Sequence, residues 1–412
     1  MATQRQGQRW VLDALVTLGG WDVLHPEVRG IFEEIGYYHS DVDRVFGKVG
    51  STLHFPRAFA ETAQEIERKA IWAERRGYPL AARDFYARAM LLYGRAQYSY
   101  YQDDARKRHF QRKVAACHTK VAQHTDEARI RRVELPFEKG KRIFGIYYAP
   151  PGRGPFPCIL LGPGMDMFKE DWHAVIMRHY IPRGFAALSM DGPGQGESLT
   201  IGGKVDATNY ERAGSRFIDW LVRRPEVNAR RIVHFGVSMG SYWGARICAH
   251  DSRIRASATA MGCTGYDLHI IFNVAQPNFK ANYMNMAGYT DERRFDEELM
   301  PQLNLREVLP RVECPLLWMH GEFDELTPLD HVLKNWEEIP KPRELWVFGN
   351  EYHPLGGVGQ DFLSLGADWL VAALAGKFGR NHSRQIYFEK DGRITEGDAR
   401  PPWWDSRRAL RG

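Results

Sequence analysis

Arg231-Ile-Val-His-Phe-Gly236-Val237-Ser238-Met239-Gly240 is the stretch on which the reading of this chain turns. A short apolar run ends in G-x-S-x-G, and a helix-compatible run, Ser241-Tyr-Trp-Gly-Ala-Arg-Ile-Cys-Ala, follows at once. Between a strand and a helix, that pentapeptide makes a sharp turn. Its glycines let the backbone pass close to neighbouring chain, and its serine is held at the mouth of a sheet with the hydroxyl exposed. The helix N-terminus behind the serine favours developing negative charge. Ser238 is therefore the candidate nucleophile.

Around this turn the chain alternates short apolar runs with helix-like segments. The runs are Cys158–Leu161, Ala186–Met190, Ile232–Phe235, Ala256–Ala260, Leu316–Met319 and Leu345–Phe348. Such alternation predicts an α/β fold with a mostly parallel, doubly wound sheet, covered on both faces and joined by right-handed crossovers. Ligands of such sheets bind at the carboxyl ends of the strands. A hairpin, Arg131 to Glu138 and Arg142 to Tyr148 around Lys139-Gly140, is expected to precede the first core strand.

A serine hydroxyl needs a base, and the base needs an orienting acid. In this kind of fold the chain order is serine, acid, histidine. Asp324 lies just past the strand that ends at His320-Gly321, in a Gly-x-x-Asp-x-x-x-Pro pattern. Glu322, Glu325 and Asp330 are the runners-up. His353 follows the next apolar strand and is the candidate base, while His234 and His320 read as structural groups. Acyl transfer also needs two donors for the oxyanion. The expected pair is the backbone N–H of Met239 and that of Met165, in the loop Leu161-Gly-Pro-Gly-Met-Asp-Met167. The turn Asp191-Gly-Pro-Gly-Gln-Gly-Glu-Ser198 lacks the lysine of a phosphate-binding loop and reads as structural.

Residues 1–128 carry helical periodicity. The stretch Phe59 to Gln97 reads as a helical hairpin broken at Gly77-Tyr78-Pro79, because glycine past one helix and proline entering the next is its usual punctuation. Ala73, Gly77, Ala81, Phe85 and Ala89 echo a tetratricopeptide unit, but no second copy follows. A third helix is expected from Asp103 to about His124. The chain thus divides into a helical N-terminal part (1–128), an α/β catalytic part (129–376) and a C-terminal appendage (377–412) with a possible hairpin at Asp391-Gly392.

Composition narrows the functional classes. The 412 residues are 44% hydrophobic, 26% charged and 12% aromatic, with a formal charge of +5. Basic residues are interleaved with acids: Arg106, Lys107 and Arg108 follow Asp103 and Asp104. Nucleic acid is therefore not the expected partner. The five cysteines are scattered with no CxxC, so neither a structural zinc nor a disulfide framework is expected. His173 and His179 lack the carboxylate or cysteine partners of a metal site. Trp10-Val-Leu12 is broken by Asp13, no run reaches the ~20 apolar residues of a membrane span, and a cytoplasmic protein is expected.

The segments Asp191–Ser198, Gly236–Gly240, His320–Asp324 and His353 resemble α/β-hydrolases. The loop Gly164-Met-Asp-Met-Phe-Lys-Glu-Asp171, together with the helical N-terminal part, is similar to the group of 2,6-dihydroxypseudooxynicotine hydrolase, the fungal polyketide-shortening hydrolases and the FrsA-like esterases. The resemblance implies an α/β-hydrolase fold with a helical cap, a homodimer, no cofactor and a small aromatic or polyketide-like substrate. It also implies cleavage of a carbon–carbon bond beside a ketone, with ester or thioester hydrolysis or acyl transfer as the alternative. By motif position, Asp166 is the acidic residue that contributes to the substrate site; anchoring its own loop is the other role open to it. Tyr98, Tyr100, Tyr101, Trp172 and Trp243 could meet an aromatic substrate, or simply fill the core.

Overall fold

Alternation of side chains along each strand divides the core in two. In β3 (Phe156–Gly162), Ile159 and Leu161 join one apolar cluster, whereas Cys158 and Leu160 join another. In β5 (Val227–Val237), Val233 and Phe235 face the first cluster and Ile232 the second. A sheet with an apolar layer on each side must be covered on both faces. The computed structural model, which describes residues 5, 8–19, 27–265 and 267–404, shows this arrangement.

The remaining strands are β1 (Arg129–Pro136), β2 (Arg142–Ala149), β4 (Ala186–Asp191), β6 (Ile254–Ala260), β7 (Leu316–Gly321), β8 (Arg343–Phe348), β9 (Ser383–Phe388) and β10 (Ile394–Glu396). They form one sheet in the order β1-β2-β4-β3-β5-β6-β7-β8-β9-β10. Pairing is parallel from β4 through β9 and antiparallel at both margins. Among the described residues, no helix is long and apolar enough to cross a membrane.

Within the C-terminal segment, residues 383–388 form β9, which pairs parallel with β8. The first half of β9, Ser383-Arg384-Gln385, is polar and edge-like; its second half buries Ile386 and Tyr387, and Phe388 stacks on Phe348 at 4.8 Å. Polarity at the start of the segment hid a strand that is half core. Residues 405–412 of the tail lie outside the described residues.

The N-terminal part is helical: α1 (Arg9–Gly19), α2 (Val28–Ile35), α3 (His39–Phe46), α4 (Phe55–Arg75), α5 (Pro79–Tyr98) and α6 (Ala105–Gln123). α4 buries Phe59, Ala63, Ile66, Ala70 and Ala73, a stripe at helical spacing. It ends before Gly77 (φ +72°), and Pro79 opens α5. Asp104 caps α6 by accepting from Arg106 N at 2.7 Å. Helices α2 to α6 share a single apolar cluster with one face of the sheet, Phe32 and Leu92 joining Leu161 and Phe235, whereas α1 buries Leu12 and Val16 in a small cluster of its own.

α2 also grips the loop after β8. A Cβ on Gly30 would stand 1.9 Å from the Gly356 carbonyl oxygen, and one on Gly356 would stand 1.8 Å from that of Glu27. Backbone meets backbone there, so neither position has a flexible side chain that could yield. Gly30→Ala is expected to cost about 1–3 kcal/mol through overpacking, seen as a lower denaturation midpoint at unchanged slope. Gly50→Ala, where a Cβ would meet nothing within 4 Å, is the control and leaves the midpoint in place.

Candidate active site

The turn after β5 carries Ser238 in a strained conformation, φ 52° and ψ −124°. A β-strand cannot pass directly into a helix within one residue unless that residue leaves the ordinary regions, and such strain persists only where its surroundings enforce it. Here the Ser238 N–H donates to Ala260 O at 3.0 Å, and the Cys263 N–H donates to Ser238 O at 3.3 Å. A Cβ on Gly240 would lie 2.2 Å from Gly162 O, so only glycine lets the turn touch the end of β3.

Three residues far apart in the chain meet at this turn. His353 Nε2 lies 2.9 Å from Ser238 Oγ, and His353 Nδ1 lies 2.9 Å from Asp324 Oδ2. Asp324 is fully enclosed, and its Oδ1 accepts from the N–H groups of Leu326 and Thr327, both at 2.9 Å. Burial opposes ionisation of Asp324, but His353, His320 and these donors outweigh it and hold the carboxyl below its ordinary range. Burial likewise opposes the protonated form of His353. Asp324, Glu325 and Asp166 prevail, and the imidazole sits above its ordinary value.

The competing acids go elsewhere. Glu322 accepts from Asn350 N at 2.7 Å and Tyr387 OH at 2.9 Å, and from the Trp403 indole. Glu325 accepts from the backbone N–H of His353 at 3.2 Å, while Asp330 is exposed. His320 is buried with Nε2 on Thr327 O at 2.8 Å and Nδ1 3.8 Å from Asp324, so it braces the acid's loop. His234 bonds Ser257 Oγ at 3.0 Å, and burial drives its pKa down to about 3. His173 and His179 have separate neighbours, Tyr148 and Glu34.

The loop after β3 brings Met165 and Asp166 to the same place. A Cβ on Gly164 would lie 3.3 Å from Ser238 Cβ, which puts this backbone against Ser238. Met239 is the first residue of the helix Met239–His250, and N–H groups there have no intrahelical partner. The turn after β4 holds the Met165 loop from behind. Gln195 Nε2 donates to Gly164 O at 2.8 Å, and Lys169 reaches Asp191 (2.9 Å), Glu170 (2.7 Å) and Glu197 (2.7 Å) in a buried cluster.

Sequence reasoning missed Arg95. It lies on α5 among residues that are all buried from Ala89 to Gln97. Its Nη1 donates to Asp166 Oδ2 at 2.6 Å and its Nε to Tyr37 OH at 3.2 Å. Burial pushes the carboxyl of neighbouring Asp171 up to about 8, against the pull of Arg95. A lone arginine inside an apolar helical run was the available signal. Cys263 was also unforeseen as a neighbour of Ser238, with Sγ 3.8 Å from Ser238 Oγ.

Two neighbouring chambers lie at this site and share Val28, Phe32, Arg95, Asp166 and Phe279 in their walls. The inner one, about 100 Å³, is lined by Ser238, His353, Met165 and Met239 on one side and by Val28 and Phe32 of α2 on the other. The outer one, about 240 Å³, is lined by Phe55, Phe59, Tyr98, Tyr101 and Phe279 among others. Arg95 and Asp166 border both. Of the remaining aromatics, Tyr100 stacks toward Phe110, Trp172 packs on Phe235 and Trp243 stacks on Tyr210.

Comparison with known proteins bears on this arrangement. A family model described as Esterase FrsA-like matches residues 54–294. Esterase FrsA of Enterobacter sp. is 26% identical over 240 residues, 56% of this chain and 56% of that protein. This chain therefore spans only a little over half the length of that curated relative. The 2,6-dihydropseudooxynicotine hydrolase of Paenarthrobacter nicotinovorans is 27% identical over 289 residues, 68% of this chain and 72% of its own. The solved structure of 2,6-dihydroxy-pseudo-oxynicotine hydrolase aligns with a TM-score of 0.75 at 24% identity, covering 86% of this chain and 99% of that one. That likeness establishes the α/β-hydrolase fold.

If His353 acts as base, its neutral form is the active one. Turnover of an activated ester should then rise with pH along a limb whose midpoint lies above the ordinary histidine value. Asp324→Asn removes the main charge that raises this pKa. The limb should move to lower pH while the plateau falls by about 10⁴-fold. A limb unmoved by Asp324→Asn would assign the titration to another group.

Proposed function

The chain belongs to the FrsA-like esterase family and is an α/β-hydrolase enzyme, and from that premise we propose that Ser238, His353 and Asp324 form a catalytic triad that cleaves a carbon–carbon bond beside a ketone. The observation that carries this reading is the unbroken hydrogen-bond chain Asp324–His353–Ser238, opening into an apolar chamber roofed by α2. Ser238 Oγ attacks a carbonyl carbon as its proton passes to His353 Nε2, and the N–H groups of Met239 and Met165 receive the oxyanion. In a 1,3-dicarbonyl compound, or in an acyl-phenol reacting as its ring-keto tautomer with a proton already on the acyl-bearing carbon, the carbon fragment can then leave because its own oxygen takes up the departing electron pair. Protonated His353 supplies the proton that the ketone enolate's carbon, or the phenolate's oxygen, then needs, and a roofed chamber keeps water from interfering. Water afterwards releases the acid from Ser238.

Asp166 at the chamber wall is suited to accept a hydrogen bond from an enol or phenol next to the scissile bond. A small aromatic or polyketide-like substrate fits chambers lined by Phe32, Tyr98 and Phe279. Ester hydrolysis by the same triad is the second reading, supported by the description of the matching family and by the name of its Enterobacter relative.

Product analysis separates the two. Incubation with aryl 1,3-diketones and acyl-phenols should release a carboxylic acid and a ketone or arene bearing a new C–H bond. Release of alcohol or thiol from esters, with the diketones recovered intact, would assign the enzyme to ester chemistry. Ser238→Ala should lower either activity by about 10⁴- to 10⁶-fold and abolish labelling by a fluorophosphonate.

A further inference from the structure

Carbon–carbon cleavage makes a demand that ester hydrolysis does not. Negative charge first gathers on the attacked carbonyl, beside Met239 and Met165, and then departs on a second oxygen two carbons away. That second oxygen needs its own donor. We propose, resting on the carbon–carbon reading above, that Arg95 is a second oxyanion site, catalytic for the departure of the enolate or phenolate.

The geometry carries this assignment. Arg95 is nine-tenths buried, yet it borders both the inner chamber with Ser238 and the outer chamber. Nε is committed to Tyr37 and Nη1 to Asp166, whereas Nη2 makes no hydrogen bond among the described residues. The guanidinium carbon lies 5.1 Å from the ring centre of Phe32 and 6.0 Å from that of Tyr98. A planar fork held by two hydrogen bonds and two rings leaves its remaining N–H pair in one fixed place. A desolvated, charged donor that needs no reorganisation is what a developing oxyanion requires. Asp166 offsets part of the cost of burying the cation without occupying Nη2.

The steps balance. The Ser238 Oγ–carbon bond forms as the proton moves to His353 Nε2. The carbon–carbon bond then breaks, and its electron pair makes an enolate whose oxygen accepts from Arg95 Nη2. His353 returns the proton to the departing carbon to give a neutral ketone; an acyl-phenol reacts as its ring-keto tautomer, so its carbon already bears hydrogen and the proton goes to the phenolate oxygen. Water hydrolyses the acyl-Ser238 to the acid, so substrate and water become one acid and one ketone or phenol. Because Arg95 stands where the chambers meet, the departing fragment points to the outer chamber of about 240 Å³ and the acyl fragment stays in the inner one of about 100 Å³. The substrate class is thus a small acyl group joined to a larger, ring-bearing enolisable ketone or phenol.

A purely structural arginine, tying α5 to the Asp166 loop, would lower all rates alike; an electrophilic one would not. The test uses the full-length chain and a series of aryl 1,3-diketones whose leaving ketones differ in acidity, assayed on the pH plateau beside p-nitrophenyl acetate. In Arg95→Met, diketone cleavage should fall about 10²- to 10³-fold more than ester hydrolysis. Its rate should also depend more steeply on leaving-group acidity, and Arg95→Lys should restore part of both losses. Fluorophosphonate labelling of Ser238 checks folding, and Arg95→Gln, which keeps donors without charge, replaces Arg95→Met if that protein does not label. Equal losses on diketones and ester with an unchanged acidity slope overturn the role of Arg95 but leave the carbon–carbon reading intact. A wild-type enzyme inert toward every diketone and acyl-phenol overturns both.

Discussion

The site depends on one strained residue. Ser238 leaves the favoured backbone regions so that a strand can become a helix within a single step, and that conformation costs on the order of 1–3 kcal/mol. What holds it is main chain on main chain: Ala260 and Cys263 bond its two peptide groups, and Gly240 lies against Gly162 with no room for a side chain. The same close approach brings the β3 loop next to the serine. Ser238 and the candidate oxyanion donors are therefore positioned by one contact, and disturbing it would displace both.

Buried electrostatics then stiffen each loop that reaches this turn. Lys169, enclosed with Glu170, Asp191 and Glu197, fastens the Met165 loop to the turn after β4. Breaking one partner of such a cluster would leave an uncompensated buried charge, which is costly enough to favour a single arrangement. The acid's loop is braced similarly by His320 within and by Tyr387 and Trp403, which hold Glu322 from the C-terminal segment. Asp324 thus sits on a support built from both sides of the sheet's far edge.

The helical part lines the candidate site through Val28, Phe32 and Arg95. α2 rests on the His353 loop through Gly30 and Gly356, and α5 places a buried cation beside the Asp166 carboxylate. Both helices share their apolar cluster with one face of the sheet. A change that loosens this cluster would reach His353 and Asp166 together, which links the packing of the N-terminal part to chemistry at a serine more than a hundred residues away.

Much of this was legible in the sequence because it is written in local periodicity. Alternating apolar runs marked the parallel strands, Gly77 and Pro79 marked the α4–α5 hairpin, and G-x-S-x-G after an apolar run located the elbow. Chain order with strand ends also singled out Asp324 and His353, since a side chain just past a parallel strand has to emerge on the same edge as its neighbours. Other features have no local signature. Residues 383–388 are strand because β8 offers an open edge, not because their polar first half demands it. Arg95 interrupts an apolar helical run, but nothing local names its partner until folding brings α5 within 2.6 Å of Asp166, 71 residues away. Sequence by itself determined the elements and the chain order of Ser238, Asp324 and His353, because periodicity and turn chemistry act over a few residues. Only the tertiary structure decided which buried charges meet and what roofs the serine, because those depend on contacts between segments whose separation along the chain carries no pattern.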